Sequence, residues 1–224
     1  MSSKTIGWTI PVVGATIAVL IAAGVTTWLI PRGDYGQTED GFAPVHRTAL
    51  RTADAQSAQA IEDFFYYSCP HCRSFEPSLE AWAKNAGAQD GRNALTRIPV
   101  TGGRPELKRE AALFYALESM GAIPRVQEDV FQTVARSPDF PASDAEIVSW
   151  AAKEGLSPAV LLAAFHSPDM ETRIAGGDAA FRALDLSAVP ALAVHDRWIV
   201  TPATAGGMES MTHVLDKALR AAPR

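Results

Sequence analysis

The stretch FFYYSCPHCRSFEP, residues 64–77, holds both cysteines of the 224-residue chain, Cys69 and Cys72, separated only by Pro70 and His71. The run before them, residues 61–67 (IEDFFYY), is dense in aromatic side chains and ends at Ser-Cys-Pro, which predicts a buried central strand. After them Phe75, Leu79, Trp82 and Ala83 recur at helical spacing. A helix is therefore expected from near Cys69 toward Gly87, bent at Pro77, with Pro70 at its first position. A Cys-X-X-Cys pair at a strand-to-helix junction has a chemical logic. Free N–H groups and the helix dipole at the N-cap favour a thiolate on the first sulfur, and the second lies one turn on, within bridging distance.

Composition sharpens the point. A disulfide scaffold would carry many cysteines, whereas this chain has one close pair. Zinc usually takes four ligands, and no second Cys/His pair of matching spacing exists, so no metal site is assigned. A structural bridge across so short a loop would add little chain-entropy stabilisation. The redox reading of the pair is preferred. With 47% hydrophobic and 20% charged residues, the chain can build one sizeable core. Its net charge of -5 argues against a nucleic-acid partner, which would need clustered Lys and Arg.

Residues 8–30 (WTIPVVGATIAVLIAAGVTTWLI) contain no charge and are long enough to cross a bilayer of about 30 Å as one helix, with Trp8 and Trp28 at its ends. A cleaved signal peptide is the competitor. The apolar run continues past Ala22-Ala23-Gly24, which favours an uncleaved anchor. Lys4 on one side and the acidic residues after Arg32 on the other orient the short N-terminus toward the cytoplasm. The expected organisation is a stub and anchor over 1–32, a Gly-rich acidic linker over 33–45 and a folded domain over 46–222.

Within that domain residues 94–100 read as a second strand, and 105–186 as a block of helices. Ser143 with Glu146 has capping-box spacing, Gly155 suits a helix stop, and Ser157-Pro158 and Ser167-Pro168 each place a cap before a proline. Residues 190–195 and 197–201 form a hairpin about Asp196, and 208–221 a closing amphipathic helix. The layout is α/β. Phe114, Phe131, Trp150 and Phe165 stand at helical spacing and are assigned to core packing in preference to a substrate groove.

On these residues the chain resembles the thioredoxin superfamily, and its DsbA-like branch in particular. CPHC at 69–72 is typical of that branch. Pro77 matches the proline of the redox helix, and SAVPALAV at 187–194 resembles the loop that carries a cis-proline opposite the redox pair. The helices at 105–186 correspond to the family's inserted helical domain. The resemblance implies a thioredoxin-like fold with a helical insert, here preceded by the transmembrane helix. It implies a thiol:disulfide oxidoreductase with Cys69 as exposed nucleophile and Cys72 as resolving thiol. His71 would stabilise the Cys69 thiolate when protonated, Val189 and Pro190 would bind substrate backbone, and Asp63 and Glu76 match positions of acids that assist proton transfer. Asp63 departs from the family's usual Glu. No cofactor is implied beyond the redox-active disulfide. The implied partners are unfolded exported proteins bearing thiols and a DsbB-type membrane quinone reductase. The implied location is the bacterial inner membrane, with a monomeric catalytic domain in the periplasm. The alternatives are an anchored thiol reductase, argued against by Ser68 where such reductases carry Trp, and a copper-binding chaperone on Cys69, Cys72 and His71.

Overall fold

A computed structural model describes residues 38–45, 61–87 and 95–221, all within the compact unit Gly33–Arg224. The anchor expected over residues 8–30 lies outside them; among the described residues no helix is long and apolar enough to cross a membrane. In chain order the elements are β1 (Ala43–Pro44), β2 (Ile61–Phe65), α1 (Pro70–Trp82) with a π-helical turn Ala83–Gly87, and β3 (Leu95–Pro99). Next come α2 (Pro105–Ser119), α3 (Ile123–Arg136), α4 (Asp144–Lys153), α5 (Pro158–Phe165) and α6 (Met170–Ala183). The chain closes with β4 (Ala191–Val194), β5 (Trp198–Val200), α7 (Pro202–Ala205), a 3-10 turn Met208–Ser210 and α8 (Met211–Ala221).

The strands form one sheet in the order β1-β5-β4-β2-β3. Only β2 and β3 run parallel; β4 is antiparallel to β2, with Phe64 opposite Ala191 and Asp63 opposite Leu192. Every residue of β2 is buried, as its aromatic run demands of a strand covered on both faces. Ile61 packs with α1 and α8, Phe64 with Val100, Leu186 and Ala191, and Phe65 with the insert helices. Phe65 is ringed by Tyr67, Phe114 and Phe131 at centroid separations of 5.3, 5.3 and 5.8 Å. Phe114, Phe131, Trp150 and Phe165 are buried, in keeping with the core assignment.

Local chemistry sets most helix ends. Ser143 and Glu146 close a capping box on α4, and the Ser157 hydroxyl caps α5 before Pro158. At β4–β5, His195 and Asp196 both adopt left-handed backbone at the centre of a turn that the Arg197 N–H closes onto the Val194 carbonyl at 3.0 Å, three residues separating the paired Val194 and Trp198.

Four expectations are corrected. Ser167-Pro168 does not start a helix: the Ser167 hydroxyl bonds the Asp169 carboxylate and α6 begins at Met170. Part of the segment assigned to a linker belongs to the domain, because Ala43 and Pro44 pair with β5 and the Val45 N–H donates to the Arg197 carbonyl at 2.9 Å. Gly41 is pressed so closely on Val214 that a Cβ there would lie 2.8 Å from Val214 Cγ2. The helix expected from Met208 is 3-10 over its first turn and α-helical only from Met211. Finally, α7, closed by a Thr201/Thr204 capping box and a left-handed Gly206, stands where no helix was expected.

The insert is fastened where β3 runs into α2. Asp178 on α6 accepts the Thr101 N–H at 2.7 Å, the Thr101 hydroxyl at 2.5 Å and the Gly102 N–H at 3.2 Å. Beside it Gly177 lets α6 approach the sheet, since a Cβ there would come within 2.9 Å of the Pro99 carbonyl oxygen. Replacing Asp178 with alanine strands buried donors and is expected to cost about 2–3 kcal/mol. The change in urea midpoint at constant slope measures it; a loss under about 0.5 kcal/mol would mean that the clamp contributes nothing.

Candidate redox site

Cys69 is the N-cap of α1, with extended backbone (φ -77°, ψ 114°) and a sulfur that accepts the Cys72 N–H at 3.1 Å. Pro70 takes the first helical turn, where its missing N–H costs nothing. Both cysteines are free, and the Cys72 thiol donates toward Cys69 Sγ at 2.6 Å. That bond, reinforced by the backbone N–H groups of Cys72 and His71, lowers Cys69 to about 7 against burial and the Glu110 charge, which push it up. Cys72 moves the opposite way: burial drives its thiol far up, and the bond to Cys69 keeps its proton in place. The two sulfurs are thus inequivalent, with the anion favoured at the helix entrance.

Cys69 is not the exposed nucleophile expected from the sequence, since only 3% of it is open to solvent. The turn from β2 and the chain at Val189 close over it, and its thiol lies 3.9 Å from the Val189 carbonyl oxygen. The Val189–Pro190 peptide is cis. Val189 is half-buried and Pro190 buried. The ring of His71, by contrast, stands exposed, as does Pro70. What His71 brings to the sulfur in this geometry is its backbone N–H.

Asp63 and Glu76 are buried acids, and the Asp63 charge is felt at the pair. Burial, then the Glu76 charge, raise Asp63 to about 7 against the attraction of Arg97, and its Oδ1 has no hydrogen-bond partner. Glu76 is also raised by burial while Arg97 opposes the shift. Arg97 Nη2 reaches Glu76 Oε1 at 2.6 Å and Glu80 Oε2 at 2.8 Å, tying β3 to α1.

Three residues at this site escaped the sequence reading. Arg97 is the cation between the acids. Gln127, on α3, accepts the Tyr67 hydroxyl at 2.8 Å. Glu110, on α2, accepts the Ser68 N–H at 2.9 Å. A half-buried Arg97 on a short strand and a buried Glu110 give no local sign of their partners; the only available signal was the placement of Glu110 on the inward face of a helix, among Leu107, Ala111, Leu113 and Phe114. Among the described residues no group of three or more His, Cys, Asp or Glu is placed to hold a metal ion.

No family model matches the chain. Among curated proteins it is similar to the thiol:disulfide interchange protein DsbA of Azotobacter vinelandii, 29% identical over 157 residues, covering 70% of this chain and 71% of that protein. The DsbA of Burkholderia cepacia is 26% identical over 165 residues, covering 74% and 76%. That of Bordetella pertussis is 27% identical over 185 residues, covering 83% and 85%. Among solved structures the fold matches Pseudomonas aeruginosa DsbA with a TM-score of 0.71 at 21% identity, over 81% of this chain and 91% of that one. It matches Xylella fastidiosa DsbA with a TM-score of 0.66 at 21% identity, over 81% and 96%.

Proposed function

The chain is a DsbA-like thiol:disulfide oxidoreductase of the thioredoxin superfamily, and from that premise we propose that it donates a Cys69–Cys72 disulfide to thiols of unfolded exported proteins in the periplasm. The observation that carries thiol exchange at this pair is the stabilised sulfur of Cys69, and the donating direction is proposed from the likeness to the DsbA proteins. A thiolate held by the Cys72 thiol and by N–H groups at a helix entrance lowers the energy of the reduced pair, which makes the oxidised pair a stronger oxidant.

In each cycle a substrate thiolate attacks Cys69 Sγ. The Cys69–Cys72 bond breaks, its electron pair goes to Cys72 Sγ, and a mixed disulfide joins Cys69 to the substrate. Cys72 then takes a proton, for which Asp63, close enough for its charge to be felt at Cys72, is the proposed donor, with Glu76 and Arg97 holding its proton in balance. A second substrate thiolate attacks the substrate sulfur of the mixed disulfide and releases Cys69 as thiolate. The substrate dithiol loses two electrons and two protons. The enzyme gains both electrons and one proton, which Asp63 recovers from solvent after passing its own to Cys72, and the other proton goes to solvent because Cys69 leaves as the thiolate. The Val189 backbone beside Cys69 is the proposed rest for an extended substrate segment, with Pro190 fixing the loop and Pro70 and His71 forming the exposed rim.

No cofactor takes part beyond the disulfide itself. Reoxidation is assigned to a DsbB-type quinone-linked membrane partner, and residues 8–30 to a tether holding a monomeric domain at the inner membrane. The relatives' description as interchange proteins does not favour a copper chaperone.

Equilibration with glutathione tests the proposal. The couple is expected well above the about -270 mV of thioredoxin, and absorbance should show a Cys69 thiolate forming near pH 7 rather than at the ~8.5 of a free thiol. A potential near thioredoxin's would make the protein a reductase instead.

A further inference from the structure

Glu110 takes no part in the exchange, yet it reaches the redox turn from outside the thioredoxin sheet. It lies on α2, the first helix of the insert, and its Oε2 accepts the N–H of Ser68, the residue directly before Cys69. The side chain is buried, at 5% exposure. Burial raises it from its ordinary value, while the Ser68 side chain, the Ser68 and Tyr67 N–H groups and the Arg104 charge all favour its ionised form. Arg104 is itself held close, with its guanidinium 4.8 Å from the centre of the Tyr66 ring in the same turn. The other carboxyl whose charge is felt at the pair is Asp63 on β2, which in turn feels Glu76 on α1 and Arg97 on β3. A carboxylate bonded to the residue before the N-cap competes with the Cys69 thiolate for one helix entrance, and the two anions repel.

We propose that Glu110 is a positioning residue through which the helical insert sets the redox strength of the pair: it holds the turn before Cys69 by the Ser68 N–H, and its negative charge limits how far the thiolate is stabilised. This rests on Cys69 and Cys72 being the exchanging pair. Glu110 restrains the oxidant, so neutralising it strengthens the oxidant.

The test follows the equilibrium in which the disulfide form and two glutathiones give the dithiol form and one glutathione disulfide. Glu110→Gln keeps an acceptor oxygen for the Ser68 N–H, whereas Glu110→Met fills similar space without one. Both are expected to shift the equilibrium toward the dithiol enzyme by on the order of tenfold, a potential ~30 mV more oxidising, and to move the Cys69 titration to lower pH. An unchanged equilibrium and titration in both, a shift the other way, or a shift confined to E110M would overturn the proposal. If E110M does not fold, E110Q decides by the same criterion. If the wild-type pair does not exchange with glutathione, the proposed function fails separately, and the Cys69 titration of wild type against E110Q still reads the charge of Glu110.

Discussion

Replacing Cys69 with serine is expected to lower oxidation of a peptide dithiol by on the order of 10³-fold or more, because Cys72 alone cannot form the disulfide that the substrate thiolate attacks. Cys72→Ser should fail differently. Its Cys69 thiolate can still open a substrate disulfide, but no neighbouring thiol resolves the mixed disulfide, so covalent adducts that reductant dissolves should accumulate. Non-reducing electrophoresis after incubation with a disulfide-bonded peptide distinguishes the two variants. Wild-type turnover in either would remove the pair from the reaction. The asymmetry follows from the geometry: the sulfur that caps the helix is the one held ready as an anion, while the buried Cys72 keeps its proton.

Asp63→Asn should stabilise the protein at neutral pH and above. In the folded chain Asp63 is raised from 3.8 to about 7, chiefly by burial, so between those values the native state binds a proton that the unfolded chain has released. Stability from this group is fully present below about pH 4 and is lost as pH rises through about 7, a loss on the order of 4 kcal/mol. Asparagine has no charge to bury, so the variant should lack this slope and gain about 2–4 kcal/mol near pH 8. Urea unfolding of both dithiol proteins across that range checks the sign, and parallel profiles would show that Asp63 is not the group responsible.

What could be read from the sequence was whatever neighbouring residues decide among themselves. The strand-to-helix junction at Cys69 was legible because an aromatic run, a turn and a proline at the first helical position follow one another directly. The Ser143 capping box and the turn at Asp196 were legible for the same reason. Ser167 misled because its hydroxyl had a second local partner, Asp169, of equal reach. Pairing across distance left no such mark. The two residues of β1 are a strand only because β5 lies beside them. Likewise Glu110 is 42 residues from Ser68, Gln127 60 from Tyr67 and Asp178 77 from Thr101. In sequence each is an ordinary polar residue of an amphipathic helix, and only tertiary packing turns it into a buried partner.

The ring cluster around Phe65 bears on protein engineering. That residue belongs to β2, an interior strand of the sheet, but two of its three aromatic neighbours, Phe114 and Phe131, are supplied by the insert helices. Excising residues 105–186 to obtain a minimal exchanger would leave Phe65 and Tyr67 facing water next to the cysteines, inviting aggregation at the spot meant to stay reactive. A trimmed version would have to redesign that strand's face first.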